Sequence, residues 1–274
     1  MAVRPGEGRV PYVPLPRRRP AYAGKIVVAR EEGIVEPRPY GSFIKLLCQE
    51  TTGDERFTVG ERTYAPGALA VTEQRDSEAI HILKGRGTFR AWPKHVPEDE
   101  PIQAPLQPGM EIVVDQFVRH EVRAAGGEPL VALVTICHLD FPAYPHHYPA
   151  VFPPGRGNSL HMHDNRVEAF YVVQGPGAMS IADPDNHTVK DVVVPPGGVG
   201  YKPMYVYHRQ YNPTTPPDPS NSSQPAASHA RQEDCYWIHS MVVFTHRGSR
   251  LPQLHLRQHE PDGRTPIWPN TSHL

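Results

Sequence analysis

Three histidines and one glutamate in the second half of a 274-residue chain have the types and spacing on which metal chemistry can be built. His161 and His163 are one residue apart, Glu168 follows five positions later at the head of the run EAFYVVQG, and His208 lies in the alternating stretch YVYHRQYN. Side chains two apart on an extended chain share a face, so His161 and His163 are expected to look into one space, with Phe170 and Val172 lining it beyond Glu168. Three neutral imidazoles and one carboxylate suit a divalent first-row metal and leave coordination positions for a substrate.

The elements that must position these groups read as strands. Short β-branched runs such as EAIHILKG, MEIVVDQFV, EPLVALVTI, EAFYVVQG and YWIHSMVVFT are separated by turns rich in the chain's 33 prolines and 22 glycines. This is the pattern of an all-β sandwich or barrel. Two halves also repeat. Glu78 and Glu168 are 90 residues apart, as are Gly85 and Gly175, while Pro108-Gly109 and Pro196-Gly197 are separated by 88, as are His120 and His208. Two copies of one β unit are predicted. Where the second copy has His161, His163, Glu168 and His208, the first has Glu73, Arg75, Glu78 and His120. A fixed positive charge at Arg75 would oppose a cation, so the metal is expected in the second copy alone.

Gly155, His161, His163, Glu168 and Gly175 resemble the first signature of the cupin superfamily in full. Pro196, Gly198, His208 and Asn212 meet the second in part, with nine residues instead of two between Gly198 and His208. The resemblance implies an all-β bicupin, two tandem jelly-roll barrels (double-stranded β-helices) in one chain. The first barrel is expected at 41–140 with a degenerate site, and the second at 141–250 with the metal site. An extended arm at 1–40, a flexible loop at 212–234 and a tail at 251–274, docking through Leu254, Leu256 and Trp268, complete the organisation.

The same resemblance implies a metal held by His161, His163, Glu168 and His208, with Glu168 also accepting a proton. The leading activity it implies is an Fe(II) dioxygenase acting on a small organic substrate together with dioxygen. The alternatives are a non-redox isomerase, dehydratase or decarboxylase using Mn, Ni, Cu or Zn, and a ligand-binding bicupin without catalysis. Pairing into a homodimer through edge strands is expected by analogy.

Phe170, Tyr201, Tyr205, Gln210 and Trp237 are the candidates to line a substrate cavity, with packing as the competing role for the aromatic residues. On YWIHSMVVF, either Trp237, His239 and Met241 or Tyr236, Ile238 and Ser240 face inward. His146-His147, in Pro/Tyr-rich surroundings, is expected to be an exposed linker pair. A net charge of −1 with interspersed signs gives no field that would draw nucleic acid or an anionic membrane. No apolar run reaches spanning length, so a soluble, cytoplasmic, small-molecule protein is expected. Cys48, Cys137 and Cys235 form no C-x-x-C pair and are read as buried fillers.

Overall fold

The glycines shared by the two sequence copies adopt the same backbone. Gly67 and Gly155 have φ of 73° and 69°, Gly85 and Gly175 have 85° and 83°, and Gly109 and Gly197 have 85° and 78°. At Gly85 a side chain is doubly excluded, because a Cβ there would also lie 2.4 Å from the Pro129 carbonyl oxygen. The repeat is therefore a repeat of turns as well as of strands.

The computed structural model describes residues 25–73, 75–94, 96–138, 144–163, 166–175, 177–182, 189–214, 236–244 and 254–258. The first copy contains β1 (Val27–Val28), β2 (Ile34–Arg38), β3 (Gly41–Leu47), β4 (Phe57–Tyr64), β5 (Leu69–Thr72), β6 (Ser77–Lys84), β7 (Gly87–Trp92), β8 (Ile102–Leu106), β9 (Met110–Val114), β10 (Arg119–Ala124) and β11 (Leu130–Cys137). The second contains β12 (Tyr144–Phe152), β13 (Arg166–Gln174), β14 (Gly177–Ala182), β15 (Val189–Val194), β16 (Val199–Lys202), β17 (His208–Tyr211), β18 (Tyr236–Phe244) and β19 (Leu254–Gln258).

Each barrel is a large sheet facing a small one. The first pairs β19-β9-β6-β11-β4-β3-β2 with β5-β10-β7-β8, and the second pairs β1-β16-β13-β18-β12 with β15-β14-β17. The termini are exchanged: β1 extends the large sheet of the second barrel, with Val28 opposite Val199, and β19 extends that of the first. Much of the predicted 212–234 loop and most of the 251–274 tail, Trp268 included, lie outside the described residues, as does Cys235. Cys48 and Cys137 are buried thiols. No helix among the described residues is long and apolar enough to cross a membrane.

Period-two alternation separates three cores. Phe43, Tyr64, Ile80, Phe89, Ile112 and Val134 fill the first barrel, and Phe170, Val172, Met179, Ile181, Val194 and Val206 fill the second. Between the large sheets, Leu46, Leu47, Phe57 and Val59 pack against Val167, Ala169, Val199 and Tyr201. This interface has polar ties. Tyr201 Oη donates to Asp54, which also pairs with Arg56, and Tyr171 Oη donates to Glu61 Oε2 at 3.2 Å.

One expectation fails here. The His146-His147 segment is not a loop but the strand β12, paired along its whole length with β18. His147 is fully buried, its Nε2 lying 2.9 Å from Thr135 Oγ1. Pro145 and Pro149 sit in this strand because β12 is the edge of its sheet, where a missing N–H breaks no inner ladder.

Candidate metal centre

His208 opens β17 on the small sheet, while Glu168 lies on β13 of the large sheet across the barrel. His161 is not in a strand. It forms an isolated bridge to His208, with His161 N–H donating to the His208 carbonyl at 3.0 Å and the reverse bond at 2.8 Å. Leu160 and Met162, which flank it, are partly exposed, so the segment directs its histidines inward and its apolar residues to the mouth.

The donor atoms of His161, His163, Glu168 and His208 all lie within 4.8 Å of one another. Their imidazole centroids are 4.6 Å apart for His161 and His208, 4.8 Å for His161 and His163, and 5.2 Å for His163 and His208. His208 Nδ1 is 2.8 Å from the Val206 carbonyl and His161 Nδ1 is 2.7 Å from the Ser159 carbonyl. A carbonyl oxygen only accepts, so each Nδ1 carries the hydrogen and the neutral ring is left with a lone pair on Nε2. Outer hydrogen bonds of this kind fix the tautomer of metal-binding histidines.

Charge follows the same logic. Burial, reinforced by Arg166, holds the His163 imidazole at a pKa of about 4, and burial lowers that of His208 as well. Neutral rings have lone pairs to give. Arg166 Nη2 lies 3.2 Å from His163 Nε2, which itself lies 3.1 Å from Glu168 Oε2. His208 Nε2 is buried, makes no hydrogen bond and stands 3.5 Å from the same Oε2. These features fit a divalent ion, and a compact set of one carboxylate and three imidazoles is a donor chemistry that first-row metals accept.

Sequence reasoning missed Lys202. Its ammonium is completely buried and lies 3.0 Å from Glu168 Oε1. Burial pushes its pKa down to about 8, with Glu168 working in the opposite direction. Gly200 makes room beneath it, because a Cβ there would come within 2.4 Å of the Phe170 ring over which the ammonium sits, 5.2 Å from the centroid. Nothing local distinguishes Lys202 from a solvent-facing lysine; only the pairing of Glu168 with Lys202 across β13 and β16 does.

The remaining candidates separate. Phe170 is fully buried inside the second barrel. Gln210 shares the inward face of β17 with His208, its Oε1 accepting from Asn158 Nδ2 at 2.6 Å, and Asn158 is a second missed residue. Tyr205 is partly exposed at the mouth, with its N–H donating to the His163 carbonyl at 2.8 Å. Tyr201 does not face the cavity. It points from the opposite side of β16 into the contact between barrels, because neighbours on a strand alternate and Lys202 takes the inner position. The side chains of β18 lie outside the described residues, so the choice between its two faces does too. The backbone of Trp237 pairs with Gln174, about 20 Å along β13 from Glu168.

The first barrel corrects the reason given for its lack of a metal. Glu73 and Arg75 are both exposed. The residue opposite His120 is Thr72, which thus takes the register position that His161 takes opposite His208. The cation inside is Arg62, whose Nη2 lies 2.7 Å from Glu78 Oε1, while His120 Nε2 lies 3.2 Å from Glu78 Oε2.

The family model described as Cupin matches residues 149–219, the part of the chain that contains all four donors. No curated protein is matched by the sequence. Among solved structures, an oxalate decarboxylase variant from Bacillus subtilis is similar at a TM-score of 0.60 and 11% identity, over 81% of this chain and 77% of that one. A structure of the same enzyme from work on its Mn(II) centres gives 0.62 and 11%, over 82% and 78%. At such identity the likeness speaks for the fold: this chain has the two-barrel cupin fold.

Proposed function

We propose that the second barrel is the active site of a metal-dependent enzyme that decarboxylates a small organic acid. The observation that carries this reading is the convergence of His161, His163, Glu168 and His208 within 4.8 Å, with a fully buried Lys202 beside them. The similar structures are of a decarboxylase with Mn(II) centres, which supports manganese and the non-redox alternative and gives iron and dioxygen chemistry no support.

His161, His163 and His208 would hold the ion through nitrogen, and Glu168 through Oε2. A bound divalent ion supplies Lewis-acid polarisation of a substrate oxygen. The chain supplies the rest. Lys202 and Arg166 bring two positive charges to the neighbourhood of one carboxylate, which favours an anionic substrate. Phe170, Val172 and Met179 belong to the dry core of the same barrel, and electrostatic interactions beside such a core are stronger than in water. Loss of carbon dioxide leaves an electron pair on carbon that must take up a proton. Lys202, whose ammonium lies 3.0 Å from Glu168 Oε1, is a proton donor at hand, delivering through that oxygen.

Elemental analysis of purified protein, combined with assays of oxalate and of simple keto and hydroxy acids for carbon dioxide release and oxygen uptake, tests the proposal. A stoichiometric divalent metal with carbon dioxide release that is lost in His161→Ala is the expected result. Bound iron with oxygen uptake on an enolic or phenolic substrate, and no carbon dioxide, would overturn it in favour of a dioxygenase.

A further inference from the structure

The first barrel has its own cavity, of about 540 Å³, at the end where its repeat histidine pairs with Thr72. Thr72, the register counterpart of His161, is one of its lining residues. No metal belongs there, because Arg62 and His120 already take the two oxygens of Glu78. Arg62 also lines the cavity, with a side chain only 7% exposed.

A guanidinium has five N–H donors and no acceptor. Arg62 spends Nη2 on Glu78 and Nη1 on Tyr64 Oη at 3.3 Å, while its Nε–H has no hydrogen-bond partner. A buried donor in that condition costs free energy that an oxygen ligand would recover. Around it the walls change character. Leu69 and Val71, 40% and 52% exposed, and Tyr40, stacked on Tyr64 at 5.1 Å, are among the residues that line the cavity. Arg38, paired with Glu36, and Glu73, 3.5 Å from Arg119, are the charged groups at the rim. The result is a buried Arg62–Glu78 ion pair with one unspent guanidinium N–H, under apolar walls and balanced rim charges.

We propose that this cavity is a metal-free binding site for a small organic monocarboxylate, its carboxylate on Arg62 and its apolar body between Tyr40, Leu69 and Val71. With Nη2 on Glu78 and Nη1 on Tyr64, the Nε–H is the donor left for the ligand, and one carboxylate oxygen would accept from it. The site does not depend on the chemistry assigned to the second barrel.

Benzoate titrated calorimetrically into the full-length, EDTA-treated protein is the test, with benzamide as the neutral control. One saturable site is expected, with benzamide weaker by about tenfold or more. Val71→Glu places a carboxylate on an exposed part of the wall and should lower benzoate affinity about tenfold; the charge-balanced double variant Arg62→Met/Glu78→Gln should do the same. His161→Ala should leave binding unchanged. The proposal is overturned if benzoate does not saturate by about 10 mM, if benzamide binds equally well, if both wall and floor variants bind normally, or if His161→Ala abolishes binding.

Discussion

Lys202 Nζ lies 3.0 Å from Glu168 Oε1, and Arg62 Nη2 lies 2.7 Å from Glu78 Oε1, so each barrel fixes its repeat glutamate by one oxygen with a buried cation and offers the other oxygen to its repeat histidine. The cations come from different strands, β16 in one barrel and β4 in the other. In the second barrel, Lys202 leaves Oε2 alone to face the histidines. Lys202→Met removes a positive charge that repels a metal ion and attracts an anionic substrate. Metal affinity should rise and substrate affinity fall, each by roughly tenfold, about 1.4 kcal/mol. Competition against a metal-sensitive dye and KM measured at saturating metal check the two arms; a merely structural lesion would weaken both.

His161→Ala should strip the metal, since it removes one donor of four while the backbone bridge to His208 stays in place. Elemental analysis after gel filtration should show occupancy reduced by at least about tenfold. Glu73→Ala, at an exposed residue of the first barrel, should leave occupancy as it was.

Turn glycines and the inward placement of His208 and Gln210 were legible because their requirements are local: a left-handed φ admits few residues besides glycine, and alternation alone aims His208 and Gln210 inward. Arg62, Lys202 and the face of Tyr201 were not. Arg62 reaches Glu78 across the intervening strand β11, and Lys202 is opposite Glu168 only once β13 and β16 are in register. Strand β12 was hidden for another reason, because Pro145 and Pro149 read as loop until its edge position is known.

Arg62→Met should destabilise the protein by about 3–5 kcal/mol, since it leaves Glu78 as a charge buried at zero exposure. Adding Glu78→Gln should recover most of the loss, because the pair removed together leaves no orphaned charge. Urea denaturation of the three proteins, with unchanged slopes, measures both differences.

Acid should loosen the contact between the barrels. Burial alone would raise the pKa of Asp54, yet the Arg56 guanidinium and the Tyr201 hydroxyl outweigh it and hold the carboxyl below its ordinary value. A carboxylate with a depressed folded pKa contributes stability that is present above its unfolded pKa, about 3.9, and lost as pH falls through the lower folded value. Thermal melts of wild type should therefore drop on acidification below about pH 4. Asp54→Asn should be less stable at neutral pH and show a shallower decline over the same window.

Tyr205 and Phe117 mark the last shared feature of the two mouths. Each stands three residues before its repeat histidine, and each adopts a left-handed backbone, with φ of 65° and 62°. That conformation costs an aromatic residue about 1–2 kcal/mol, and asparagine tolerates it better. Both residues are exposed in good part, at 40% and 54%, so little packing is lost on replacement. Phe117→Asn and Tyr205→Asn should each raise stability by about 1 kcal/mol, a gain of a few degrees in melting temperature. The two should then part company, because only Tyr205 borders the candidate metal centre. Tyr205→Asn should raise KM severalfold while Phe117→Asn leaves it unchanged; equal KM values in both variants would remove Tyr205 from substrate binding.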